Sequence, residues 1–257
     1  MAAFPNFIII GAMKCGTTAM WHNMNNHPDI TMGKNWEDPK EASTEIRFWN
    51  NGKPYHTWKN GMEWYKRLFN GTFNGEKCAN YIESQKAMKK MGQYIPNIKV
   101  IICVRNPVDR AYSEFQMMAH TRPKIHQLGF GRLLQRGSDI IDKGKYLMMI
   151  KNNVLPFIKK ENIYISVQEW MRKDTKNELN KIYKFLGLKE IDLEVKHVKS
   201  DKKDVQMSEY KEWHSKYNKR IRRVDRRKLA KDYFSDNKMF FHFLGKEIEE
   251  WDEGVFP

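Results

Sequence analysis

The sequence predicts a single α/β domain, a central parallel β-sheet flanked by helices. Two observations carry that expectation. Short, continuous apolar runs recur, and each is followed by a loop and then a helical pattern, which is how parallel strands covered on both faces read. The chain is also long enough, at 257 residues, and apolar enough, at 40% hydrophobic with 13% aromatic, to fill one sizeable core. That composition excludes a disordered chain.

The elements follow in order. Phe7–Ile10 is a β-branched run that reads as a buried strand, Gly11–Gly16 as a loop, and Thr17–Asn26 as a helix that stops before His27-Pro28. From Thr31 to Gly75 the chain is aromatic and rich in Gly, Asn and Pro, including Trp36, Trp49, Tyr55 and Trp58. This stretch is expected to form loops around a site, with a short helix near Met62–Phe69. Lys99–Val104 is a second apolar strand, and Pro107 opens the next helix at a favoured first position. A long helix is expected from about Lys145 to Lys159, then a third strand at Ile163–Val167. Asp174 is placed to cap a helix carrying Leu179, Ile182, Tyr183 and Leu186, with Gly187 ending it.

Charge narrows the partners. Lys and Arg number 46 against 31 Asp and Glu, a net of +15, which suits an anionic partner such as a nucleotide, nucleic acid, acidic glycan or membrane surface. Residues 196–231 hold fourteen Lys/Arg against five Asp/Glu and read either as a solvated basic helix or as a clamp for an anion. The three cysteines, Cys15, Cys78 and Cys103, lack CxxC spacing, so neither a zinc site nor a disulfide framework fits. Free thiols point to a reducing, cytoplasmic compartment, or else to a soluble domain whose anchor has been removed. The apolar run Phe7–Ala12 is far short of a membrane span of ~20 residues.

The chemistry concentrates in Gly11-Ala12-Met13-Lys14-Cys15-Gly16-Thr17-Thr18, set between a strand and a helix. Glycines let the backbone turn tightly and aim several N–H groups at one anion, and the following helix adds its positive end. Lys14 supplies a mobile charge, and Thr17 and Thr18 supply hydroxyls. A Walker loop would place its lysine directly after the second glycine, where Thr17 stands. The arrangement therefore suits a shorter 5′-phosphosulfate without a metal. A P-loop nucleotide kinase is the first alternative, and it requires a Walker lysine and a magnesium-binding acid that are not in place. A basic nucleic-acid-binding protein is the second, and no reader motif accompanies the charge.

Gly11–Thr18 resembles the 5′-phosphosulfate loop of the sulfotransferases that use 3′-phosphoadenosine 5′-phosphosulfate (PAPS), roughly G-x-x-K-x-G-T-T. Val104–Ser113 (VRNPVDRAYS) resembles their 3′-phosphate motif, R-[ND]-P-x-x-R-x-x-S, in which Arg105 and Ser113 make charge-assisted hydrogen bonds to one phosphate. The likeness extends toward the heparan sulfate N- and O-sulfotransferase branch. Glu45–Asn50 is similar to its E-x-x-F-F segment, and Gly75–Tyr81 to G-E-K-x-P-x-Y with Asn80 in place of proline. Gly144-Lys145-Tyr146, Phe185–Leu188 and Leu229–Tyr233 also have counterparts, whereas that branch's paired C-terminal cysteines have none after Cys103.

The resemblance implies one sulfotransferase domain over residues 1–257 with a P-loop-like fold. It places the donor, and its product 3′-phosphoadenosine 5′-phosphate (PAP), on Lys14, Cys15, Gly16, Thr17, Thr18, Arg105, Ser113 and Tyr146, with no metal. It makes Glu45 the general base toward a hydroxyl or amine acceptor, a carbohydrate or a small hydroxylated molecule, with Glu41 the second candidate. Lys14 would stabilise the leaving oxygen, and Lys77 would share that charge or orient the acceptor. Nucleic acid is not an expected partner, and the sequence carries no transmembrane segment.

Overall fold

The computed structural model describes residues 3–35, 44–50, 57–135, 139–192 and 221–254. Two compact units divide the chain: residues 1–104 with 148–197, and residues 105–147 with 198–257.

The first unit is built on a five-stranded sheet of order β2-β3-β1-β4-β5, in which each neighbouring pair is parallel. The strands are β1 (Phe7–Gly11), β2 (Ile30–Met32), β3 (Phe73–Lys77), β4 (Lys99–Val104) and β5 (Ile163–Val167). β1 lies at the centre, with Phe7, Ile8, Ile9 and Ile10 fully buried, because an apolar run without alternation has no face to offer water. All strands run the same way, so the loops after β1, β3 and β4 leave one edge of the sheet, where open α/β sheets place their ligands.

Helices α1 (Thr17–Met24), α2 (Gly61–Arg67) and α3 (Gln85–Tyr94) belong to this unit. α1 ends two residues earlier than its sequence pattern suggested. The stretch read as loops between Thr31 and Gly75 contains β2 and runs into β3, whose Phe-Asn-Gly-Glu-Lys lacks any apolar alternation. The expected helix from Lys145 is short and broken. It runs as α-helix over Tyr146–Met149, widens to a π turn over Ile150–Val154, and gives way before Pro156, which cannot continue it. The helix at Thr175–Leu186 matches its expected caps. Asp174 accepts from the Asn177 N–H at 3.1 Å, and Gly187 closes the helix at φ 85°.

The second unit is helical. It comprises α4 (Pro107–Thr121), three short helices at Pro123–Leu128, Phe130–Gln135 and Asp139–Asp142, and a long helix at Arg223–Leu244. Asn106 caps α4, accepting from the Val108 and Asp109 N–H groups, with Pro107 in its first turn. Val108, Ala111 and Phe115 of α4 pack with Leu133, Leu229 and Tyr233 in a core of its own. Of the basic run, residues 196–220 lie outside the described residues. Within the described part, Arg222 pairs with Asp225, and Arg226 bridges Asp109 and Glu253, so these arginines are engaged in ion pairs inside the unit.

Candidate active site

The loop after β1 is pinned to the sheet before it turns. The Ala12 N–H donates to the Cys103 carbonyl of neighbouring β4 at 2.8 Å, and the Cys15 N–H turns back to the Ala12 carbonyl at 3.2 Å. Lys14 sits at φ 69° and Gly16 at φ 83°, so the loop enters the left-handed region twice within three residues. Gly16 is the N-cap of α1 and brings no capping side chain, which leaves the first N–H groups of α1 for a ligand.

The fit to an anionic nucleotide can be tested on two local features. A Cβ built on Gly16 would lie 2.6 Å from Gln168 Nε2, so this cradle is closed to any side chain at that position. Gln168 Oε1 is buried beside it without a hydrogen-bond partner. A helix start lacking its own cap fits an anionic group, and the orphaned Gln168 Oε1 beside it would accept from a donor group of the same ligand. Thr17 is buried and Thr18 exposed, so the two hydroxyls meet different surroundings.

β3 brings the second half of the site. Because Ile9 pairs with Lys77 in the β1–β3 ladder, Lys77 ends its strand next to the start of the loop. Its side chain is 3% exposed, and Nζ donates to Glu45 Oε1 at 3.1 Å and to Thr18 Oγ1 at 3.4 Å. Glu45 also accepts from the Ala79 N–H at 3.2 Å and from Arg47 Nε at 2.9 Å. Burial acts to raise the Glu45 pKa, but the charges of Lys77 and Arg47 and their hydrogen bonds outweigh it and hold the carboxyl below its ordinary value. The group is therefore ionised at neutral pH. Three sequence candidates, Glu45, Lys77 and Thr18, thus converge. Glu41 lies outside the described residues.

In the second unit, Arg105 stands near Asp109 of α4 at 3.9 Å, and its Nε is buried without a hydrogen-bond partner. Tyr146 is buried, and its hydroxyl donates to the Arg105 carbonyl at 2.7 Å. Tyr146 thus holds the backbone of Arg105, and its ring packs against Phe240 and Trp251. Ser113 is half-buried on α4. His27 is buried, its two ring nitrogens at hydrogen-bond distance from Lys189 O and the Asp29 N–H. Sequence reasoning passed over Gln168, for which a polar residue directly after an apolar strand was the available signal, and Glu76, whose partners Trp49 and Tyr65 lie far from it in sequence.

A parallel sheet with a glycine-bearing loop at the end of its central strand, faced by a lysine-paired carboxylate, suits transfer of a group from an anionic donor. The sulfotransferase domain model matches residues 4–253, and the chain belongs to that family of PAPS-dependent sulfotransferases, near the heparan sulfate N-deacetylase/N-sulfotransferase branch. The human bifunctional heparan sulfate N-deacetylase/N-sulfotransferase 1 is 36% identical over 147 residues, covering 54% of this chain and 16% of the human protein. The Caenorhabditis elegans enzyme of the same name is 28% identical over 277 residues, covering 98% of this chain and 31% of its own length. The chain thus spans less than a third of these relatives. Among solved structures, a sulfotransferase from Alicyclobacillus acidocaldarius superposes with a TM-score of 0.72 at 21% identity, covering 97% of this chain and 99% of that one.

Proposed function

We propose that this chain transfers a sulfuryl group from PAPS to a hydroxyl or amine of a carbohydrate, with Glu45 as general base. The observation that carries the reading is the Glu45–Lys77–Thr18 contact, which sets an ionised carboxylate at the mouth of the anion loop. The donor supplies an activated sulfuryl group on a phosphate oxygen. Glu45 takes the acceptor proton as the acceptor oxygen or nitrogen bonds to sulfur and the sulfur–oxygen bond to the phosphate breaks. Lys14 and Lys77 stabilise the charge left on that phosphate oxygen, and the N–H groups of Gly16, Thr17 and Thr18 hold the 5′ end. Arg105 and Ser113 read the 3′-phosphate, on the strength of their motif and the orphaned Arg105 Nε.

A sugar acceptor is supported by similarity to the heparan sulfate enzymes and by an aromatic surface in the first unit. Tyr94 is 48% exposed, its ring stands 6.0 Å from that of Trp58, and Lys90 Nζ lies 3.5 Å over Trp58. Aromatic edges beside a lysine suit an acidic sugar ring. We take residues 1–257 as one catalytic domain, because the family model spans both units. We place the protein in a reducing compartment, or as a soluble domain with its anchor removed; three buried cysteines outside any disulfide support the first. Among the described residues no helix is long and apolar enough to cross a membrane.

The test is transfer of labelled sulfate from PAPS to de-N-sulfated heparin and to a panel of small hydroxylated molecules, without added metal. Glu45→Gln is expected to lower turnover ~10²–10⁴-fold. A full rate in that variant overturns Glu45 as the base, and no transfer to any glycan overturns the acceptor class.

A further inference from the structure

The mechanism uses Glu45 and Lys77 but leaves unexplained a second carboxylate on the same strand. Glu76 is 0% exposed in the centre of the first unit, and neither lysine nor arginine contributes to its titration. Its partners are instead three side chains. The Tyr65 hydroxyl makes a short hydrogen bond to Oε2, Trp49 Nε1 reaches the same oxygen at 3.3 Å, and the Tyr81 hydroxyl donates to Oε1 at 2.6 Å. The donors also bind one another. Trp49 Nε1 lies 3.0 Å from the Tyr65 hydroxyl, and the Trp49 backbone N–H donates to the Tyr81 hydroxyl at 3.3 Å.

A carboxylate is an expensive way to fill a core. Burial pushes the Glu76 pKa up to about 7, against the pull of its hydrogen bonds, and also drives both tyrosines well above their ordinary values. An apolar residue would pack β3 without that cost. What Glu76 gains for it is geometric. Trp49 lies four residues after Glu45, and Tyr81 four residues after Lys77, so one carboxylate fastens the far ends of both segments that carry the pair. The segment around Glu45 has no strand or helix of its own between residues 44 and 50. Side-chain bonds hold it: Trp49 to the hub, Asn50 to Asn80 at 2.7 Å, and the Thr57 hydroxyl to the Ile46 carbonyl at 3.4 Å.

We propose that Glu76 is a positioning residue that, through Trp49, Tyr65 and Tyr81, locks the 44–50 segment against β3 so that the Glu45 carboxylate stays on Lys77. The proposal deepens the catalytic reading of Glu45 and rests on it for its functional meaning, but the geometry it asserts is measurable without any transfer reaction.

The experiment follows the Glu45 carboxyl by 13C NMR, assigned by difference from Glu45→Gln, in the wild type, Glu76→Ala, Glu76→Gln and Tyr81→Phe. Glu76→Gln keeps the size and an acceptor oxygen, and the tyrosine hydroxyls can rotate to accept from its amide. It is expected to leave the Glu45 titration where it is. Glu76→Ala is expected to move that titration up by about one pH unit or more, as the carboxylate drifts from Lys77 and Arg47. Tyr81→Phe retains the ring and removes one bond of the hub, so it reports if Glu76→Ala does not fold, and a smaller upward move is expected. Every variant should still bind PAP by calorimetry, since the anion loop itself is untouched. An unchanged Glu45 titration in Glu76→Ala, or in Tyr81→Phe should the alanine variant not fold, overturns the positioning role. A Glu45→Gln enzyme that still transfers sulfate at full rate overturns the base instead, and the two failures are read from different measurements.

Discussion

Replacing Glu45 by Gln perturbs more than the proton transfer proposed for it, because Lys77 loses its charge partner in a place water barely reaches. The Lys77 side chain is 3% exposed and that of Glu45 16%, so the pair is buried on one side and nearly so on the other. Breaking a buried pair by removing one partner typically costs ~3–5 kcal/mol. The substituted carboxamide would keep an oxygen for Lys77 and for the Ala79 N–H, Lys77 keeps Thr18, and the partly exposed Arg47 can turn to water. The cost should therefore fall to roughly 2–3 kcal/mol. At ~2–4 °C per kcal/mol for a chain of this length, the variant should melt about 5–10 °C below the wild type without nucleotide. PAP changes the balance. Its 5′-phosphate gives the freed Lys77 a new anion to neutralise, so saturating PAP should close about half of the gap. Linkage then requires the variant to bind PAP about tenfold more tightly. Melting curves by circular dichroism, with and without PAP, and calorimetry of PAP binding decide the matter. An equal gap in both conditions with unchanged affinity would refute the claim that Lys77 reaches the donor's anion.

Three further outcomes are expected. Arg105→Ala should weaken nucleotides carrying a 3′-phosphate by ~1.5–3 kcal/mol while affecting adenosine 5′-phosphosulfate less, and equal losses for both by calorimetry would show that Arg105 does not read that phosphate. Gly16→Ala places a Cβ 2.6 Å from Gln168 Nε2 at φ 83°, so PAP binding should drop at least about tenfold with the sheet intact by circular dichroism. Glu76 gives the pH response a definite sign: its folded pKa, about 7, lies above the ordinary 4.5, so the native state holds the extra proton and its contribution is lost as pH rises through that window. Denaturant unfolding at pH 5 and pH 8 should show the wild type losing on the order of 3 kcal/mol relative to Glu76→Gln, and parallel pH profiles would contradict it.

What the sequence made legible follows the physics of each element. β1, β4 and β5 are runs of apolar, mostly β-branched residues, and the helix at Thr175–Leu186 carries both of its caps, so local propensity and global fold agree there. β3 could not be read as a strand, because Asn74, Gly75, Glu76 and Lys77 are polar or glycine yet enclosed. Their burial is tolerated because Asn74 bonds the Gly71 carbonyl, Glu76 has its hydroxyl and indole donors, and Lys77 has Glu45. The partners of Glu76 and Lys77 come from distant parts of the chain, and no window of sequence displays them. The loop and its Lys14 were visible because glycines in a strand-to-helix turn are a local signal. α3 was missed although Ser84 caps it and Ala87, Met88 and Met91 share its buried face, a signal drowned by three lysines.

The two halves of the site differ in how their backbones are fastened. β1 exchanges hydrogen bonds with a strand on either side, so the root of the anion loop opens only when the sheet itself comes apart. The hydrogen bonds described for the 44–50 segment all involve a side chain on one side or the other, with no strand ladder among them. Amide deuteration should therefore reach Ile46 and Phe48 long before Ile8 and Ile9. On the roles proposed for the two halves, a catalytic cycle has a natural order, in which the nucleotide meets a rigid seat and the acceptor meets a segment that can still give way.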